Sequence, residues 1–424
     1  MILTKYDSYK DSGVNWLKEI PLTWKSYRFK DISLIQTSNV DKKTNKNEEE
    51  VLLCNYVDVY KNDFITKSLN FMKATAKKDQ ISKFKLSKND VIITKDSETA
   101  EDMAKPALVL EDLKNIICGY HLALVRSKKD LVNNKYIFRL FQSSNFHWNF
   151  IVKSKGVTRV GLSINNAVNN QDLFLPPILE QIKISNFLDK KTSQIDKKIE
   201  LLQGEKENYG KLKKTLINKT VCRGLNKNVE LKDSGIEWIG KIPGHWTITR
   251  GKNIFYELRK SKISASEGQN QGMYKFFTSS VNQTKWIDTF TENSEEIIFS
   301  TGGIAGVHYC DKKFSYSTDC WAIKSKNQFL KYFYYYFKSI LYEIDKIAFQ
   351  GAGLRHLKRD FIKLTELIKP SKEEQIQIAK YLDEKTSKID KIILKINDQV
   401  ETLKEFRKIL INDVVTGKVR IQDE

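Results

Sequence analysis

No stretch of this 424-residue chain approaches the ~20 consecutive apolar residues that a bilayer span needs. Its first residues, MILTKYDSYKDSG, lack the apolar core of a secretion signal. Both absences argue against a membrane or secreted protein, and a cytoplasmic location is expected. Cysteine is scarce: Cys54, Cys118, Cys222, Cys310 and Cys320 are odd in number, scattered and without a C-x-x-C pair. That excludes a disulfide framework, so all five read as reduced and structural. Catalytic signatures are missing as well. There is no G-x-x-x-x-G-K-S/T phosphate loop and no Asn-Pro-Pro-Tyr amino-methylation motif, since Pro176 and Pro177 stand between Leu175 and Ile178. The Gly-rich stretch TGGIAG from Thr301 reads as lacking the strand and downstream acid of a dinucleotide or S-adenosylmethionine site. Asp90 with Lys95 and Glu98 is a poor match to a nuclease. Cys118 with His121, and His308 with Cys310, are isolated pairs without the other two ligands of a zinc site. No catalytic residue, metal or cofactor of its own is expected.

What is abundant is positive charge. Lys and Arg number 72 against 52 Asp and Glu, a formal charge of +20. A polyanion, foremost nucleic acid, is the natural partner. A lysine-rich proteome would give the same excess without any such partner, and composition alone does not separate the two. With 40% apolar and 11% aromatic residues the chain can build real cores, and its length allows two to four domains.

The chain says nearly everything twice. Residues 11–32, DSGVNWLKEIPLTWKSYRFKDI, return at 233–254 as DSGIEWIGKIPGHWTITRGKNI, with ten of twenty-two positions identical. The block PPILEQIKISNFLDKKTSQIDKKIELLQ from Pro176 returns from Pro370 as PSKEEQIQIAKYLDEKTSKIDKIILKIN. One pair is offset by 222 residues and the other by 194, so the intervening segments differ by 28, and there the copies diverge. Matched ends with unmatched middles imply one scaffold, duplicated, presenting two different surfaces.

Within the second block Leu188, Ile195, Leu202, Tyr209 and Leu216 recur every seven residues, flanked by Ile199 and Leu212. The other copy carries Leu382, Ile389, Ile396, Leu403 and Leu410, with Ile393, Val400 and Phe406 beside them. This is a coiled-coil seam, interrupted only by Gly204 and Gly210 in the first copy. Antiparallel pairing within one molecule is the economical arrangement and gives a pseudo-twofold axis. Two helices each packed on its own domain, or a coil between two molecules, are the alternatives. The repeated W-x-x-x-I-P-x-x-W (Trp16, Ile20, Pro21, Trp24; Trp238, Ile242, Pro243, Trp246) reads as packing that staples the chain as it enters each globular domain.

Weak echoes run through the divergent middles. DVIITKDSET from Asp90 parallels EIIFSTGGIAG from Glu296, and LVRSK from Leu124 parallels AIKSK from Ala322. YIFRLFQSS from Tyr136 parallels YFYYYFKSI from Tyr332, and KGVTRVGL from Lys155 parallels QGAGLRHL from Gln350. Short strands, polar loops and one or two helices predict compact, mixed, β-rich domains.

The duplicated Trp-Pro-Trp lead-ins, the L-P-P-x-x-E-Q-x-x-I run at Leu175 to Ile184 with its second copy at Pro370 to Ile378, and the F/Y-L-D-x-K-T-S-x-I-D stretches at Phe187 and Tyr381 together resemble the specificity subunit of type I restriction-modification systems. The resemblance covers essentially the whole chain. It implies an α+β fold in which two target-recognition domains are joined by two long antiparallel coiled-coil helices. Its boundaries fall at 1–175 (with the lead-in 1–32), 176–228, 229–369 and 370–424. Each recognition domain would read one half of a bipartite, asymmetric DNA site while the helices set the spacer. Two modification (methyltransferase) subunits and restriction (endonuclease) subunits would be the protein partners, and S-adenosylmethionine, ATP and Mg would belong to them.

Direct reading of bases needs Arg or Lys for guanine, Asn or Gln for adenine and apolar contact for the thymine methyl. In the first domain the candidates are Lys95, Asp96, Ser97 and Glu98 after the Asp90 strand, with Tyr120, His121, Thr158 and Arg159. The second set is Ser300, Thr301, Gly302 and Gly303, with Arg355, His356 and Trp286. For each, an ordinary polar loop position is the competing reading. Lys77, Lys78, Lys83, Lys85, Lys358 and Arg359 are expected to meet phosphate or solvent. The rival function is a basic coiled-coil scaffold that organises other proteins without sequence-specific DNA binding.

Overall fold

The computed structural model describes residues 2–156 and 158–422. The chain divides into two compact units, Met1–Leu201 with Gln399–Glu424, and Leu202–Asp398. Two helices pass from one unit to the other, Ile178–Arg223 and Lys372–Val415. The expected α+β architecture of two mixed domains joined by two long helices is what the chain forms.

In the first unit a five-stranded sheet runs in the order Ser33–Thr37, Leu122–Ser127, Val91–Thr94, Pro106–Val109, Phe64–Ile65. Its central strand is apolar on both faces because it is covered on both. Val91 and Ile93 point into the core that holds the helix Asn134–Gln142, whereas Ile92 joins a second core under the four-stranded sheet of Met72–Ala76, Glu49–Cys54, Leu113–Cys118 and Lys85–Leu86. Alternation along a strand does this directly. The second unit repeats the plan. Glu296–Ser300 lies between Cys320–Ser325 and Val307–Cys310, sending Ile297 and Phe299 toward the helix Leu330–Ser339 and Ile298 toward a small core with Phe277 and Phe314. Three of the four sequence echoes therefore mark equivalent elements here: central strand, neighbouring strand and covering helix.

The repeated blocks explain themselves as joints. Gln181 is buried; its side-chain carbonyl accepts from Asn133 N–H at 2.9 Å and its amide donates to the carbonyls of Leu131 and Pro176. Gln375, equally buried, accepts from Phe329 N–H at 3.0 Å and donates to Pro370 O. Each glutamine thus ties the start of a long helix to the start of the covering helix. Two to three turns further on, Asp189 and Thr192 hold the fully buried Arg139 at 2.7 and 3.1 Å. Their counterparts Asp383 and Thr386 hold the Tyr335 hydroxyl at 2.7 and 3.2 Å. The same latch grips different side chains in the two units.

The helices run antiparallel. In the first unit Arg407 pairs with Asp196 at 3.0 Å, while Val415 accepts from the Tyr136 hydroxyl close to Asp189. In the second, Lys213 pairs with Asp390 at 2.6 Å and Val221 accepts from the Tyr332 hydroxyl. Leu188, Ile195, Leu382, Ile389, Ile396 and Leu410 are buried, and Leu202, Tyr209, Leu216 and Leu403 are half-buried. Leu212 and Phe406, expected to widen the seam, are instead 52% exposed, because a seven-residue stripe between two helices has no third surface to cover its flank. Gly204 and Gly210 leave the first helix unbroken, and a Cβ at either would meet nothing within 4 Å. Replacing each with alanine should stabilise the protein by about 1 kcal/mol, read as a shift in denaturant midpoint.

The Trp-Pro-Trp lead-ins are packing motifs, as expected, but their tryptophans are unequal. Trp24 and Trp246 are fully buried, whereas Trp16 is partly covered by Phe146 and Phe174 and Trp238 is 41% exposed. A glycine in the left-handed conformation faces each buried indole: Gly417 against Trp24, and Gly224 against Trp246. The strands Ile2–Thr4 and Arg420–Gln422 pair with each other in the first unit.

Candidate nucleic-acid interface

In each unit the loop leaving the central strand meets a five-residue hairpin. Lys155 bridges Gly161 in the first unit and Gln350 bridges His356 in the second, and the residue after each first position, Gly156 or Gly351, takes a positive φ of 134° or 145° that only glycine tolerates. In the first unit Leu162 N–H donates to Lys95 O at 2.8 Å, and Asp96 and Ser97 pair with Gly161 and Val160. In the second, Leu357 N–H donates to Thr301 O at 3.0 Å and Gly303 N–H to Arg355 O at 2.9 Å, with Gly302 bridging His356. One platform is therefore built twice from segments more than fifty residues apart.

On the first platform the candidates converge. Lys95 pairs with Asp96, whose Oδ2 lies 3.2 Å from His121 Nδ1, and Arg159 Nη2 lies 2.6 Å from His121 Nε2. Burial depresses the His121 pKa, the hydrogen bond to Asp96 opposes this, and the Arg159 cation lowers it further, so the ring is neutral near pH 7. A neutral ring donates from Nδ1 to Asp96 and accepts from Arg159 at Nε2. The Tyr120 ring sits 3.6 Å from that of His121, and Thr158, Arg159 and Glu98 are exposed. Ser97 is buried under the platform, where it donates to Asp102 at 3.0 Å. Asp102 also accepts from Thr99 and Tyr56, a supporting role that no repeat signalled.

The second platform is assembled from the expected residues with two differences. Ser300 is fully buried; it donates to Ile304 O at 2.9 Å and accepts from Gly306 N–H at 2.7 Å, so it holds the turn from beneath. The Arg355 guanidinium is committed to Asp345 at 3.2 Å, and Asp345 also accepts from Ala305 N–H at 2.8 Å. Arg355 thus braces hairpin and loop together. His356 is exposed beside Gly302, and Trp286 stands apart, on the strand Lys285–Ile287 of the three-stranded sheet. The Gly-rich turn does follow a strand, contrary to the reading above, but it leads into the strand Val307–Cys310 and not into a phosphate-binding helix. Two side chains that sequence reasoning passed over, Ile304 and Leu354, project from the facing loops at 61% and 66% exposure.

Glu296 begins the strand that carries this loop. It is fully buried, its Oε2 has no hydrogen-bond partner among the described residues, and its other oxygen faces Lys324 at 3.2 Å. Burial, then Glu292, push its carboxyl up to about 8 against the pull of Lys324. Because the folded protein holds this proton more tightly than the unfolded chain, stability falls as pH rises from the ordinary carboxylate range through about 8. Glu296→Gln should remove that slope, raising Tm over the wild type by several degrees at pH 8 and by little near pH 5, in thermal unfolding at each pH.

Elsewhere, Arg359 lies 5.6 Å over the Trp321 ring and near Glu257, and Lys78 lies near Glu49. Among the described residues no helix is long and apolar enough to cross a membrane, and no group of three or more His, Cys, Asp or Glu is arranged to hold a metal ion.

A family model described as "Type I restriction modification DNA specificity domain" matches residues 243–402. The putative type I restriction enzyme MjaX specificity subunit of Methanocaldococcus jannaschii is 23% identical, over 99% of this chain and 98% of its own length. The EcoDI specificity subunit of Escherichia coli is 24% identical over 42% of this chain and 40% of its own. Among solved structures, one described as underlying complex assembly and conformational transition of the type I R-M system covers 93% of this chain at a TM-score of 0.71 and 14% identity. The HsdS subunit of Thermoanaerobacter tengcongensis covers 94% at 0.52 and 16%. These structures share the fold, and the resemblance to type I specificity subunits extends along the whole chain.

Proposed function

We propose that this chain is the sequence-reading component of a type I restriction-modification system, supported by the match of residues 243–402 to the type I DNA specificity domain and by the end-to-end similarity to a specificity subunit. It binds a bipartite, asymmetric duplex site, each unit reading one half-site, and recruits two modification subunits and, for cleavage, restriction subunits. Methyl donor, nucleotide and Mg chemistry reside in those partners, and this chain supplies recognition. The observation that carries the reading is the platform built twice on one scaffold with different side chains. A scaffold without base recognition would have no use for that difference.

The deciding experiment maps methylated bases genome-wide in cells expressing this chain with a neighbouring methyltransferase, against cells lacking the chain. A bipartite motif that disappears on deletion supports the proposal. Purified protein that binds DNA weakly, with salt sensitivity and no preferred site, would favour the scaffold instead. If the helices set the spacer, inserting four residues after Gly204, about 6 Å of helix, lengthens the methylated motif's spacer by one or two base pairs. An unchanged spacer rules that role out.

A further inference from the structure

The two hairpins correspond position for position in sequence between their closing bridges. Each hairpin is closed by a bridge between positions six apart, and each carries its positive-φ glycine one position after the first of these. Counting from that glycine, the fourth hairpin residue is Arg159 in one unit and Leu354 in the other, and both are exposed. What surrounds them differs in kind. Arg159 is steadied through one nitrogen by His121, itself fixed by Asp96, and among the described residues its remaining N–H groups have no acceptor and can donate. Leu354 stands with Ile304 on facing loops, and the one cation of that tip, Arg355, is consumed by Asp345.

An exposed leucine and isoleucine at the tips of two loops lose favourable energy to water unless something covers them. Bracing by Arg355, Asp345 and the Ser300 turn keeps them from folding inward. In a major groove the apolar group presented by a base edge is the thymine 5-methyl, and the group suited to a guanidinium is the guanine O6/N7 pair. Building on the function proposed above, we infer that the fourth hairpin residue is the equivalent specificity-determining position in both units, with Arg159 reading guanine and Leu354, together with Ile304, reading a thymine methyl.

The test begins with selection of bound duplexes by the full chain, alone or co-expressed with its modification subunit, to define both half-sites. Each thymine of one half-site is then replaced by deoxyuridine, which deletes only the methyl. At one position wild-type affinity should fall about fourfold, the equivalent of one buried methyl group, while Leu354→Ala binds the two duplexes equally. In the other half-site, 7-deazaguanine at one position should weaken the wild type about tenfold or more and leave Arg159→Ala unaffected. A half-site indifferent to every deoxyuridine, or a Leu354→Ala protein that still distinguishes thymine from uracil, overturns the inference and leaves the recognition function standing. Failure to select any sequence overturns the recognition function itself.

Discussion

Replacing Trp246 by alanine lowers the stability of the second unit by about 3–5 kcal/mol, the cost of deleting a fully buried indole whose surroundings cannot close over the space. The site is rigid for identifiable reasons. The indole nitrogen donates to Glu374 at 3.1 Å, at the start of the second long helix, and a Cβ on Gly224 would stand 3.0 Å from the ring. Trp238, 41% exposed in the same motif, should cost only about 1–2 kcal/mol on the same change. Hydrogen exchange is the suitable measurement, since it localises the loss. Faster exchange in the Leu330–Ser339 helix and in both long-helix segments of the second unit is expected, with the five-stranded sheet of the first unit unchanged. Equal effects of Trp246→Ala and Trp238→Ala would contradict the assignment of these roles.

Replacing Gly351 by alanine is expected to abolish sequence recognition by one platform while sparing the fold. At φ 145° a side chain is strained, and the added Cβ would stand 2.7 Å from the Leu354 carbonyl oxygen, so the hairpin tip must change shape. The hairpin is short and lies at the surface, so Tm should move little. Affinity for the selected duplex should nevertheless fall by roughly a hundredfold or more, because every mismatched base pair costs about 1–3 kcal/mol and the tip presents several contacts at once. Binding to unrelated duplex at low salt, which rests on the overall positive charge, should persist. Loss of both kinds of binding together would instead point to unfolding.

The parts of this architecture that were legible in the sequence are those fixed by local periodicity or by duplication. Leu188 and Ile195, or Leu382 and Ile389, announce a seam because seven-residue spacing permits little else. The strand at Val91 and its echo at Ile297 are visible because apolar runs bounded by polar loops leave few readings. Loops were located for the same reason, and Lys95, Asp96, His121 and Arg159 do come together. Illegible were contacts that depend on how side chains are aimed once the chain has packed. Nothing near Arg355 in sequence says that Asp345 will hold it, or that Arg355 will therefore brace a loop and not face outward. Nothing in the block around Phe187 says that its Asp and Thr will grip an arginine in one unit and, through the second copy, a tyrosine in the other. Ile304 and Leu354 were passed over because an apolar residue in a loop looks like core until its exposure is known.

The pairing of Ile2–Thr4 with Arg420–Gln422 makes the backbone return to its own beginning. In the second unit the equivalent junction, from the helix end at Arg223 through Gly224 to the strand Leu231–Asp233, is an unbroken covalent path. The first unit thus closes on a hydrogen-bonded seam where the second closes on a peptide-bonded one, so local opening by peeling Ile2–Thr4 from Arg420–Gln422 is available to the first unit, whereas the matching segment of the second is tethered on both sides.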